Sequence, residues 1–242
     1  MKLSERARGL LRETAIPELR GPFLPHERLA QARDLLAAAG VPETDAVMEY
    51  ARELYKMHYD VRGDGAPRDF RLGAKAWRAA AEGVAEGWVI PALFSRGDDA
   101  PPILALHQHG ALLAAEGTFS GTRPLVPLAA SFASWLEFEA ALDALADERR
   151  SFWRVTARAP IGAARRLAAR FSLAPVDAAS DGLLEAWRGS GILVRARRDA
   201  YPEPRLWIDA CVPAEGHDVD ALAGALEEMT GHPPARQSWT PG

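Results

Sequence analysis

The chain has 242 residues, 48% of them hydrophobic, enough for one large domain or two small ones around a buried core. Its 29 basic and 33 acidic side chains leave a net charge of −4, which gives no overall attraction for nucleic acid or an anionic membrane. A single cysteine, Cys211, excludes an internal disulfide and reads as an inert, half-buried strand residue in a reducing compartment. The opening MKLSERARGLLRETAIPELR alternates charge with leucine and lacks the apolar core of about 7–15 residues that a signal peptide needs. No later run reaches the roughly 20 apolar residues of a membrane span, so a cytoplasmic protein is expected.

Leu29, Ala32, Leu36 and Ala39 recur at helical spacing, and Gly40 followed by Pro42 supplies a stop. A second helix is expected from Thr44 or Asp45, with Val47, Tyr50, Ala51, Leu54 and Tyr55 forming one apolar stripe that ends at the polar VRGDGAPRDF loop. Alanine-rich Leu72 to Val84, which carries Trp77, predicts a third helix. The period then changes. Trp88 to Phe94, Ile103 to His107 and Ala111 to Glu116 predict a three-stranded antiparallel meander, with SRGDDAPP and the turn His107-Gln108-His109-Gly110 as connections. Pro124 and Pro127 lead to Ser131, a fitting N-cap for a helix whose Phe132, Trp135, Leu136, Leu142 and Leu145 share a broad apolar face.

The charged DERRS at Asp147 to Ser151 divides this block from a fresh pattern, predicting two units, 1–148 and 149–242. The second runs strand (Phe152 to Arg158), helix (Ile161 to Phe171), a pair of strands turned by Gly189-Ser190-Gly191, a strand over Arg205 to Val212, and a helix over Asp218 to Thr230. In Arg205 to Val212 the alternation of Leu206, Ile208, Ala210 and Val212 with Arg205, Trp207, Asp209 and Cys211 predicts one face on the core. The GHPPARQSWTPG tail predicts a frayed or extended end. The class is therefore α+β, with a C-terminal β-α-β-β-β-α module similar to half of a ferredoxin-like fold.

His107 and His109 lie two apart, as two metal imidazoles on one strand face would, but no Cys or third His stands at ligand spacing, so no metal is expected. His26 and His58 do not complete a set. Asp98 and Asp99, with Asp64 and Asp69, are carboxylates that work as acid–base or Mg²⁺ groups only when converged, and on loops they are ordinarily solvated. Gly63-Asp64-Gly65 and Gly189-Ser190-Gly191 lack the phosphate-binding frames, Ser95, Ser120 and Ser131 lack a nucleophile elbow, and Cys211 sits inside a strand; no catalytic residue or cofactor is expected. Arg154, Arg158, Arg165, Arg166, Arg170, Arg195, Arg197 and Arg198, with Trp153 and Trp187 as stacking platforms, would suit nucleic acid. From Ser151 onward, however, 11 arginines meet 11 acids, which favours solvated helix backs.

The run IPALFSRGDDAPPILALHQHGALLAAEGTF…LVPLAASFASWLEFEAAL resembles the SMI1/KNR4 (SUKH) superfamily. The matching features are Ile90-Pro91, Ile103 to Leu106, Ala111 to Glu116, and Ala130-Ser131-Phe132 with Trp135-Leu136, following a pair of helices; the resemblance spans residues 25–146. It implies a SUKH-like antiparallel sheet with flanking helices. It also implies an immunity protein that neutralises a cognate bacterial toxin of contact-dependent or type VI secretion by binding it. On that reading Asp98, Asp99, His107, His109 and Glu116, on loops at one edge of the first unit, are the expected partner contacts. An enzyme with a dispersed site and a small-molecule-sensing adaptor are the alternatives.

Overall fold

The computed structural model describes residues 1–13, 25–60, 67–95, 102–115, 125–147, 151–189, 191–198, 205–214 and 219–239. The two expected early helices are α2 (Pro25–Ala39) and α3 (Asp45–Glu53), preceded by a short α1 (Glu5–Leu10) and β1 (Leu11–Glu13). Thr44 caps α3 by accepting from the Val47 N–H, and the stripe Val47, Tyr50, Ala51, Leu54 and Tyr55 is buried. The chain continues through β2 (Met57–Tyr59), β3 (Arg68–Phe70), β4 (Trp77–Ala81), β5 (Val84–Ser95), β6 (Pro102–His107), β7 (Leu112–Ala115) and β8 (Leu125–Ala129) into α4 (Phe132–Asp147).

The helix expected over Leu72 to Val84 is instead a hairpin. Gly83, at φ 73°, turns β4 directly onto β5, so that Ala81 faces Val84 and Trp77 faces Val89. Alanine's helix preference is a few tenths of a kcal/mol per residue, and pairing on both sides of β4 overrides it. The meander β5-β6-β7 is present and is extended by β8, which the two prolines disguised. Pro127 is accommodated opposite Leu113, beside a register shift in β7.

Because β5 pairs with both β4 and β6, and β4 meets β8 in parallel at Ala81 and Leu125, strands β4 to β8 close into a small barrel. Strands β3, β2 and β1 extend outward from β5. Side chains alternate between two environments: Val89, Ala105, Leu113 and Leu125 form a cluster drawn from the barrel strands alone, whereas Ile90, Leu93, Leu104, Leu106 and Leu112 join the helices in the main core. Ser131 caps α4, its Oγ accepting from the Ser134 N–H at 3.2 Å.

The second sheet contains β9 (Phe152–Pro160), β10 (Ala174–Pro175), β11 (Leu184–Gly189), β12 (Ile192–Arg198), β13 (Arg205–Pro213) and β14 (Ala235–Trp239), with α5 (Ala163–Arg170) after β9 and α6 (Val219–Thr230) after β13. The order is β10-β11-β12-β13-β9-β14, antiparallel throughout. Residues of the tail, expected to be frayed or extended, form the extended strand β14; Trp239 stacks on Phe152 with ring centroids 4.8 Å apart, which supplies the apolar anchor. The helices α5 and α6 cover one face through Leu167, Leu222 and Leu226. The other face, with Leu184, Leu193 and Cys211, belongs to the main core that includes α4.

Strand β13 is therefore covered on both sides, and the one-sided reading of Arg205 to Val212 is corrected: Asp209 and Cys211 are as buried as Ile208 and Ala210. Sheet membership changes across Asp147 and Phe152, where the sequence divides, but the core is shared. A chain of polar contacts also crosses it. Trp135 on α4 donates to the Tyr59 hydroxyl at 2.8 Å, and Arg68 donates to that hydroxyl at 3.2 Å and to Glu139 at 2.9 Å. On the far side of α4, Arg195 donates to the Phe138 carbonyl and to Asp209, each at 3.0 Å, and Arg154 grips Asp209 with two bonds of 2.8 Å. Buried charges persist only when matched this way.

Candidate functional site

Three local structures, each with its own sequence cause, meet at one end of the barrel. The first is the capped start of α3. The second is the β6–β7 turn, where the His107 N–H donates to the Ala111 carbonyl and the Gly110 N–H donates back to the His107 carbonyl at 2.8 Å. Gly110 takes φ 100°, which a β-carbon would resist. The third is the Ser131-capped start of α4. The Thr44 hydroxyl donates to the Gln108 carbonyl, and the Gln108 side chain accepts from the Trp88 N–H at 2.9 Å, tying turn, helix and barrel together.

Between them lies a cleft of about 380 Å³. Tyr50, Leu106 and Phe132 supply apolar lining, Ala46, Gly110 and Ala133 narrow it, and His109, Ser131, Glu49 and Lys2 bring polar groups to it. The Met1 amine also reaches it and sits 2.6 Å from Glu49; hydrogen bonding to that carboxylate raises the amine's pKa above its ordinary value.

Two of the five expected contact residues, His107 and His109, are described. Asp98, Asp99 and Glu116 lie outside the described residues. The segment carrying Asp98 and Asp99 joins Ser95 to Pro102, whereas His107 closes the opposite end of β6, five steps along, or about 17 Å at 3.3 Å per step. Of the two described ones, His109 lines the cleft and His107 does not. His107 is fully buried, although the turn reading made it a surface residue. It points with Ala105 toward the barrel strands, its Nε2 backed by Gly87. Its Nδ1 accepts from the His109 N–H at 3.3 Å, so the neutral ring carries its proton on Nε2. Burial, and then the neighbouring His109, hold the His107 pKa below the ordinary 6.5.

That arrangement has a defined pH signature. Above pH 6.5 both folded and unfolded chains hold a neutral His107; below it the unfolded chain takes up a proton first, so stability falls as pH drops toward the lower folded value. His107→Gln should flatten this acid limb, read as urea midpoints between about pH 8 and 5. An identical slope in the variant would remove His107 as its source.

The other candidates disperse. Among the described residues no group of three or more His, Cys, Asp or Glu side chains could hold a metal, and His26 and His58 sit on α2 and β2. Asp64 and Ser120 lie outside the described residues, and Asp69 accepts from Arg71 at 3.4 Å. Of the arginines, Arg154 and Arg195 hold Asp209, Arg165 holds Glu185, Arg170 holds Glu228 and Arg198 holds Glu82, and of the two proposed stacking platforms Trp187 is buried. Sequence reasoning missed Tyr50, Leu106 and Phe132 as a lining because an apolar stripe reads as core. The signal was the two N-caps, Thr44 and Ser131, bracketing a glycine turn.

Comparison of the chain with family models, with curated proteins and with solved structures gave no match.

Proposed function

We propose that this protein is an immunity protein: it binds a cognate bacterial toxin and neutralises it stoichiometrically, without chemistry of its own. The observation that carries this reading is the order of elements between residues 25 and 147. Two helices, α2 and α3, precede Ile90-Pro91 on β5; Ile103–Leu106 lies on β6, β7 returns antiparallel, and Ala130-Ser131-Phe132 opens α4. That is the succession on which the resemblance to the SMI1/KNR4 superfamily rests. The cleft beside His109 supports a binding role, since a stoichiometric inhibitor requires a preformed complementary surface and not a reacting group. The proposed site of action is the cytoplasm, where the toxin would act.

Co-expression with the toxin encoded beside this protein should restore growth and give a complex that survives gel filtration. Failure of the intact chain to protect or to bind would overturn the proposal. Growth restored without any complex would point instead to an enzyme acting on the toxin's product.

A further inference from the structure

One wall of the cleft is built differently from the others. We infer that residues 1–4 are a strap that closes the cleft over its apolar floor, and that the partner reaches this floor once the strap swings away. Such a lid regulates the binding function proposed above, on which this reading rests.

The floor is present but covered. Tyr50, Leu106 and Phe132 line the cleft, yet they are 2%, 1% and 5% exposed. Met1 lines the same cleft and packs against the main core with its side chain 6% exposed, so the strap contributes an apolar group that shares their burial. From there the chain crosses from one helix to the other. The Met1 amine sits 2.6 Å from Glu49 on α3, and Ser4 donates its N–H and its hydroxyl to the two carboxylate oxygens of Glu137 on α4, at 2.5 and 2.8 Å. Glu137 follows Ala133 by four residues, one turn along the side of α4 that borders the cleft. Lys2, between the two anchor points, lines the cleft as well.

The walls opposite are fixed by the Thr44–Gln108 and Ser131–Ser134 bonds. Residues 1–3 belong to no helix or strand, and the polar anchors of the strap are open to water: the Glu49 side chain is 49% exposed, and both Ser4 bonds to Glu137 are exposed. Bonds so placed exchange with water at little net cost. What holds the strap shut is mainly the burial of the Met1 side chain. Beyond Ser4 the chain is held more firmly. Ser4 caps α1 by accepting from the Ala7 N–H, Ala7 and Leu10 are buried, and Arg6 donates to the buried Asp143 at 3.2 Å. Opening is therefore local, with Ser4 as the hinge and α1 left in place.

The test uses the full chain and reads the strap without the toxin. Glu137→Ala removes the clasp on α4 and leaves every cleft-lining residue in place. Oxidation of Met1 by dilute hydrogen peroxide, followed by peptide mass spectrometry, should run about fivefold faster in this variant, while Met229 on α6 oxidises at the wild-type rate. The dye 8-anilinonaphthalene-1-sulfonate, titrated into the ¹⁵N-labelled chain, should shift the amides of Gly110 and Ala133 and bind the variant about fivefold more tightly. In the wild type, exchange of the Ser4 amide should be insensitive to low urea while that of Leu10 quickens with it, so the strap stays testable even if the variant misfolds. Equal Met1 oxidation or equal dye affinity in a folded Glu137→Ala protein, dye shifts centred elsewhere, or a Ser4 amide that exchanges only with global unfolding would overturn the inference. A strap that opens as expected in a wild type that gives no protection in co-expression would support the lid and sink the immunity reading alone.

Discussion

Asp209→Ala should lower the stability of the whole chain by about 3–5 kcal/mol, the range seen when one partner of a buried ion pair is removed. Asp209 lies between two arginines, Arg154 and Arg195, whose side chains are themselves 18% and 3% exposed. Removing the carboxylate takes the shared counter-charge from a buried and a half-buried cation, with Arg195 retaining the Phe138 carbonyl, the Phe138 ring, whose centroid is 4.5 Å from its guanidinium, and the Glu139 carboxylate at 3.9 Å. Burial alone would raise the pKa of Asp209; Arg195 and Arg154 more than offset that and hold it below the ordinary 3.8. Its stabilisation is accordingly present above pH 3.8 and is lost as pH falls toward the lower folded value, so the variant should differ least from wild type in strong acid. Replacing Asp209, Arg154 and Arg195 together with apolar residues should cost less than Asp209→Ala, because the pair's attraction mainly offsets its own desolvation. Urea unfolding of the three proteins decides this. A loss under about 1 kcal/mol for Asp209→Ala would mean the arginines reach water when it goes.

The second large effect is steric. A β-carbon on Gly87 would lie 2.5 Å from the His107 Nε2 and 2.8 Å from the Gln108 Cδ, and both side chains are held, His107 by burial and Gln108 by the Trp88 N–H. Gly87→Ala should therefore destabilise by about 1–3 kcal/mol, as overpacking does. Adding His107→Ala opens the space, so the double variant should be more stable than the two single losses sum to, with a coupling of about 0.5–3 kcal/mol. Gly224→Ala on α6, where nothing lies within 4 Å, is the control and should be neutral or stabilising by up to about 1 kcal/mol. Additive losses at Gly87 and His107 would show that the contact does not govern the barrel end.

Residues whose local signals agreed with their tertiary setting were readable in advance. Thr44 and Ser131 cap where their chemistry predicts, and the stripe from Val47 to Tyr55 is buried as its spacing requires. Misreadings and open alternatives fall where pairing partners distant in sequence decide the outcome. Alanine-rich β4 is a strand because β5 and β8 flank it, and β14 forms because Phe152 offers Trp239 a stacking surface. The alternation along β13 was seen, but a strand covered on both faces hides one polar side chain among its inward residues. Asp209 looks solvated until Arg154, 55 residues earlier, is found against it. The cleft was legible only in pieces: His109 was singled out, while Tyr50, Leu106 and Phe132 were indistinguishable from core. His107 shows the reverse, a histidine two residues from an exposed one yet fully buried, because β6 continues through it before the chain turns.

The most direct test of the central claim is a titration of the purified cognate toxin's activity with this protein. Stoichiometric neutralisation predicts a linear fall to complete inhibition at an equimolar ratio, reversed when the complex is dissociated and the toxin recovered. Inactivation by a small fraction of an equivalent, continuing with time and surviving removal of this protein, would contradict it and establish catalysis.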